Sequence, residues 1–123
     1  MRVALIAPAA NNYIWRKRRA AFTMPPLALP ILAAISPPGI TVRLFDEAVE
    51  DVNLNLEADL VGLSSITATA TRAYALADHF RSRGIPVVMG GVHPSSLPEE
   101  ALVHCDSVVI GEAENLWPRV LED

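Results

Sequence analysis

Five short apolar runs, each cut off by a proline, a glycine, a serine or an acid, set the terms for any fold of this chain. Val3 to Ala7 runs into Pro8, Thr41 to Phe45 into Asp46, and Leu60 to Leu63 into Ser64-Ser65. Ile85 to Met89 runs into Gly90-Gly91, and Ser107 to Ile110 into Gly111-Glu112. Such runs, lacking strict alternation of apolar and polar residues, predict strands buried on both faces, as in a parallel sheet.

Helical patterns fill the gaps. Pro25-Pro26 supplies a preorganised first turn, Leu27, Ile31, Leu32 and Ile35 recur at helical spacing, and Pro37-Pro38-Gly39 ends the pattern. Ala68 to Arg83 carries one apolar face of Ala73, Leu76, Ala77 and Phe80, with Arg72, Asp78 and Arg81 toward water and Gly84 as its stop. Shorter helices are predicted from about Pro98 to Val103 and from about Glu114 to Leu121. Alternating strands and helices need right-handed parallel crossovers. The expectation is an α/β fold: a Rossmann-like, doubly wound, five-stranded parallel sheet in the flavodoxin-like order 2-1-3-4-5. Residues 1–123 then form one domain, a length that leaves little room for a second.

Composition narrows the function. At 51% hydrophobic and 20% charged, the chain can bury a core and is not a disordered tail. A net charge of -4 argues against nucleic acid as a partner. No apolar stretch reaches roughly 18 residues, so no membrane partner is expected, and the start is too short in apolar residues for a signal peptide. The single cysteine, Cys105, cannot form an internal disulfide or a multi-thiolate metal site, and it fits a cytoplasmic protein.

In a sheet of this order, ligands sit outside the carboxyl ends of the strands, at the switch point between the first and third. Small and polar residues gather there: Ser64-Ser65-Ile66-Thr67, Gly90-Gly91-Val92-His93-Pro94 and Gly111-Glu112-Ala113-Glu114. Glycines let a ligand approach the backbone, and hydroxyls offer a donor and an acceptor. Taken singly, each loop is equally a tight turn or a helix cap. Three converging on one edge favour a ligand site. The long link from about Ala9 to Met24 carries Asn11, Asn12, Tyr13, Trp15 and the run Arg16-Lys17-Arg18-Arg19. It reads as a lid or partner surface, or, for its charges alone, as a solvated stretch.

In this order and at these spacings, several of these segments form a pattern. They are Ala7-Pro8, Pro25-Pro26-Leu27-Ala28-Leu29, Asp46, Ala58-Asp59-Leu60-Val61-Gly62-Leu63-Ser64, Thr67, Gly90-Gly91-Val92-His93-Pro94 and Gly111-Glu112-Ala113-Glu114. The chain resembles, over nearly its whole length, the amino-terminal cobalamin (B12)-binding domain of radical S-adenosylmethionine enzymes. The resemblance implies a cobalamin whose nucleotide tail is displaced from cobalt (base-off) and threaded between the loops. Ser64, Ser65 and Thr67 would line one side of the tail, Gly90 and Gly91 would let it pass, Val92 and His93 would border it, and Gly111 and Glu112 would close the far side. It also implies a carboxyl-terminal radical S-adenosylmethionine domain as partner, with S-adenosylmethionine and a 4Fe-4S cluster as that domain's cofactors.

One departure concerns the metal. Many cobalamin-binding domains carry Asp-x-His-x-x-Gly after the second strand, where the histidine binds cobalt. Here the stretch is Asp46-Glu47-Ala48-Val49-Glu50-Asp51, and Ala48 has no atom to ligate a metal. That absence is usual in the radical-enzyme branch. His79 and His104 read as ordinary surface or partly buried residues, and His104 beside Cys105 is not a zinc site. Glu112 and Glu114 suit a helix start better than acid–base work. The cysteine triad of the radical machinery, Cys-x-x-x-Cys-x-x-Cys, is absent, so no catalytic residue is expected in this chain. The domain is expected to hold and present a cofactor, with methyl transfer as one use in a longer enzyme. The alternative is a protein-interaction module that keeps the fold and no longer binds cofactor. A response-regulator receiver lacks its acidic residues after strands one and three, and a flavodoxin-like electron carrier lacks its phosphate loop after Ala7-Pro8.

Overall fold

The computed structural model describes residues 1–8, 32–47, 52–65, 69–110 and 117–122. The expected link from Ala9 to Met24 lies outside these residues, as does the start of the expected helix from Leu27; residues 32–34 are helical.

Five strands form the sheet: β1 (Arg2–Ala7), β2 (Thr41–Asp46), β3 (Leu60–Ser64), β4 (Val87–Gly90) and β5 (Ser107–Val108). Their order is β2-β1-β3-β4-β5, and every pair is parallel. This is the order expected from the alternating pattern. The helices are α1 (Ala70–Ser82), α2 (Val92–Ser96), α3 (Pro98–Ala101) and α4 (Trp117–Glu122).

Each inner strand divides its side chains between two cores. Ala4, Ile6, Val61, Leu63, Val87 and Met89 meet Ala73, Leu76, Ala77 and Phe80 of α1 on one face. Val3, Leu5, Leu60 and Val88 meet Trp117 and Leu121 of α4, with Leu32, on the other. A sheet covered on both faces demands apolar residues at successive positions, which is why these strands do not alternate. Gly62 is the exception that makes room. A methyl there would lie 2.6 Å from Leu5 Cδ2. The space it leaves is filled by Leu5, itself 1% exposed, and bordered by Trp117. The Trp117 indole N–H donates to Ser36 Oγ at 2.8 Å, and the Ser36 hydroxyl donates to the Leu32 carbonyl at 2.8 Å. A buried indole keeps its hydrogen bond in this way.

The elements differ from expectation mainly at their ends. β4 begins at Val87 rather than Ile85. The Ile85 N–H closes α1 by donating to Phe80 O, Pro86 has no N–H and contributes only its carbonyl, which accepts from Val61 N, and Val87 is the first register partner of β3. β5 ends at Val108, and one further ladder bond runs from Val109 N to Met89 O. α2, between Gly91 and Leu97, was not expected. It admits Pro94 because a first helical turn has no use for that N–H.

The amino rim of the sheet is laced with polar ties. The Arg2 amide donates to Asp59 Oδ2 at 2.7 Å, and the Val87 amide to Asp106 Oδ2 at 2.8 Å. The Arg83 guanidinium donates to the carbonyls of Leu54, Leu56 and Asn55, and the His79 ring bonds Leu54 O at 2.7 Å. These groups hold the irregular link between β2 and β3.

Gly62→Ala is expected to cost about 1–3 kcal/mol through overpacking against Leu5, read as a lower midpoint in urea with an unchanged slope. The amide of Arg2 holds the Asp59 carboxyl below its usual range. A carboxylate with a depressed folded pKa stabilises the fold above its unfolded pKa, and that contribution is lost as pH falls through the folded value. Asp59→Asn should therefore flatten the acid limb of the stability curve below about pH 4 and leave less difference between acid and neutral stability.

Candidate functional site

The carboxyl rim carries the small residues. Ser64 closes β3 and Gly90 closes β4, and the two are register partners. The ladder extends one step further, because the Ser65 amide donates to Gly90 O at 3.0 Å. Gly91 then turns with φ +106, a left-handed conformation that side chains rarely adopt. A Cβ there would lie 2.6 Å from Ser65 O and 2.9 Å from Ser65 N. Gly91 is therefore seated directly on the Ser65 backbone, and the loops after β3 and β4 form one seam. At Gly90 a Cβ would find only Val109 at 3.9 Å, so that position has room beside it.

Ser64, Gly90 and Gly91 are partly exposed on this rim, whereas Ser65 is buried at 1% exposure. The Ser65 and Thr69 hydroxyls lie 3.3 Å apart. Thr69 was not singled out in the sequence, although its spacing of four from Ser65 across a helix start is a usable signal. Val92 and His93 fall in α2, immediately after the seam. Thr67, Gly111 and Glu112 lie outside the described residues, as does Ala48. The structure thus brings Ser64, Ser65, Gly90, Gly91 and the backbone of residues 92 and 93 together at one rim. β5, parallel to β4, directs residues 109 and 110 toward that same rim.

Two residues that the sequence reading assigned no site role also meet here. Glu47, the first residue after β2, is 1% exposed, and its amide donates to Ala7 O at 3.0 Å. Arg72, in the first turn of α1, reaches it through Nη2 at 2.8 Å and Nε at 3.1 and 3.2 Å. A forked contact of this kind is the strong form of a carboxylate–guanidinium pair.

The remaining titratable groups lie elsewhere. Burial pushes the Cys105 thiol up, and its S–H lies 3.2 Å from each of the Ala101 and Ser107 carbonyls, so it stays a protonated, unreactive thiol. His104 stacks on Tyr74 with ring centres 4.3 Å apart and bonds Asp78 at 2.9 Å, while the Tyr74 hydroxyl donates to Glu100. Burial, then the Glu100 contact, pushes the Tyr74 hydroxyl well above its ordinary range. Among the described residues, no three His, Cys, Asp or Glu side chains could jointly hold a metal ion. Nor does any helix among them have the length and apolarity to cross a membrane.

A doubly wound parallel sheet with a small-residue seam at its switch-point rim defines a ligand-holding domain. Residues 17–121 match the B12 binding domain family, and the chain belongs to it. It is 48% identical over 98 residues to bacteriochlorophyllide d C-8(2)-methyltransferase of Chlorobaculum tepidum, covering 79% of this chain and 22% of that protein. It is 35% identical over 100 residues to bacteriochlorophyllide d C-12(1)-methyltransferase of the same organism, covering 80% of this chain and 22% of that protein. The chain thus spans about a fifth of the length of the curated relatives it matches.

Gly91→Ala combines left-handed strain with a backbone clash at Ser65. It is expected to lower unfolding stability by about 2–4 kcal/mol, measured by denaturant titration.

Proposed function

We propose that this chain binds cobalamin base-off, with the nucleotide tail in the crevice at the carboxyl rim, and presents it to a radical S-adenosylmethionine domain for methyl transfer. The observation that carries this reading is the seam itself. Gly91 packs on the Ser65 backbone, and Ser64 and Gly90 pair side by side, so two loops leave one edge without side-chain bulk between them. A long and mostly neutral ligand needs such a path, with a few hydrogen bonds to orient it.

The chain's own residues then divide the work. Ser64, Ser65 and Thr67 line one side of the tail. Gly90 and Gly91 keep the path open, Val92 and His93 border it, and Gly111 and Glu112 close the far side. Ala48 supplies no ligand to cobalt, so cobalamin is held through its tail rather than through the metal. When bound, cobalamin supplies the methyl-carrying chemistry, and the protein supplies binding and orientation. S-adenosylmethionine and a 4Fe-4S cluster belong to the partner domain in this reading. The two relatives' names, both methyltransferases, favour methyl transfer as the use. The buried, unreactive Cys105 is compatible with a cytoplasmic setting.

The test is retention. The chain is incubated with hydroxocobalamin, desalted, and its absorbance recorded. An equimolar corrin band is expected, with the spectrum of a corrinoid whose base is off cobalt, and Gly90→Leu, which fills the path, is expected to abolish retention. A colourless parent protein overturns the proposal and leaves the interaction module.

A further inference from the structure

The Glu47–Arg72 pair is more than the packing of the fold needs. Taking two charges out of water is costly, and apolar side chains of similar volume often serve a fold as well or better. The pair is also lopsided: the Glu47 side chain is 1% exposed and the Arg72 side chain 32%. The positive end of this dipole therefore faces outward.

Its place in the sheet matters. Glu47 leaves β2 and is pinned to Ala7 at the end of β1, while Arg72 opens the helix that follows β3. Since β1 lies between β2 and β3, the pair crosses the carboxyl end of β1, at the switch point. Three other arginines serve elsewhere: Arg2 pairs with Glu57 and Asp59, Arg81 with Asp106, and Arg83 holds the carbonyls of Leu54 and Leu56. Arg72 instead lies at the carboxyl end of the sheet, at the start of the helix that follows β3.

We propose that Arg72 is a binding residue for the phosphodiester of the corrinoid's nucleotide tail, and that Glu47 is its positioning residue. The inference rests on the reading of the site as a cobalamin site. The tail carries one anionic phosphate between otherwise neutral parts. A guanidinium whose fork is already oriented by a buried carboxylate loses little freedom when it takes a phosphate oxygen.

The experiment uses two probes, hydroxocobalamin and cobinamide, which has the corrin ring but lacks the nucleotide tail and its phosphate. Both are titrated against the parent chain and a Glu47→Leu, Arg72→Met double variant. Replacement of both partners by apolar residues is expected to leave the thermal midpoint at or above the parent's. Cobalamin affinity should fall about tenfold, the size of one charge-assisted hydrogen bond, with cobinamide affinity unchanged. Unchanged cobalamin affinity, or an equal loss toward both corrinoids, overturns the proposal. If the double variant does not fold, Arg72→Lys carries the comparison. It keeps the charge without the planar fork, and a loss confined to cobalamin is expected, unchanged affinity for both probes being the overturning result. A parent chain that retains neither corrinoid brings down the proposed function itself, a result distinct from a parent that binds and a variant that binds equally.

Discussion

β3 has neighbours on every side, and the structure is arranged around the room they leave it. β1 and β4 pair with its edges, α1 packs on one face, and Leu5 and Trp117 crowd the other. Gly62 is what lets Leu5 lie across the strand at that density. In the sheet's order the chain passes from β2, on one side of β1, to β3 on the other, and then runs on to β4 and β5. The reversal of direction between β1 and β3 opens the crevice at the carboxyl rim.

The two rims of the sheet are then put to different uses. The amino rim is closed by side chains that satisfy backbone groups, Asp59 on Arg2, Asp106 on Val87 and Arg83 on the link carbonyls. At the carboxyl rim the loops after β3 and β4 meet backbone on backbone, Ser65 on Gly90 and Gly91 on Ser65, while Glu47 and Arg72 pair across the end of β1. Backbone contact takes less space than side-chain contact. It therefore joins the two loops with no side chain between Gly91 and Ser65.

The strand pattern in the sequence was legible because burial on both faces leaves its mark at every position of β1, β3 and β4. The sheet order was legible because the connections are long and parallel. Ends were harder to read. Whether Ile85 belongs to a helix cap or a strand depends on which carbonyl its N–H meets, and that is a tertiary fact. Ser64, Gly90 and Gly91 could be picked out by type and by their place after a strand. The left-handed φ of Gly91 and its contact with Ser65 could not, since any Gly-Gly makes a turn. Glu47 and Arg72 left no local signal at all: they are 25 residues apart, and Arg72 falls on the helix face assigned to water. A charge that periodicity assigns to solvent is found by structure only, when a strand end brings a partner to it.

The link between β2 and β3 is fastened on both sides of residues 48–51. On one flank, Glu47 is fastened to Ala7 and Arg72. On the other, His79 and Arg83 hold Leu54, Asn55 and Leu56. Both flanks are thus fixed by the protein's own groups, the first by a backbone hydrogen bond and an ion pair, the second by side chains that bond backbone carbonyls.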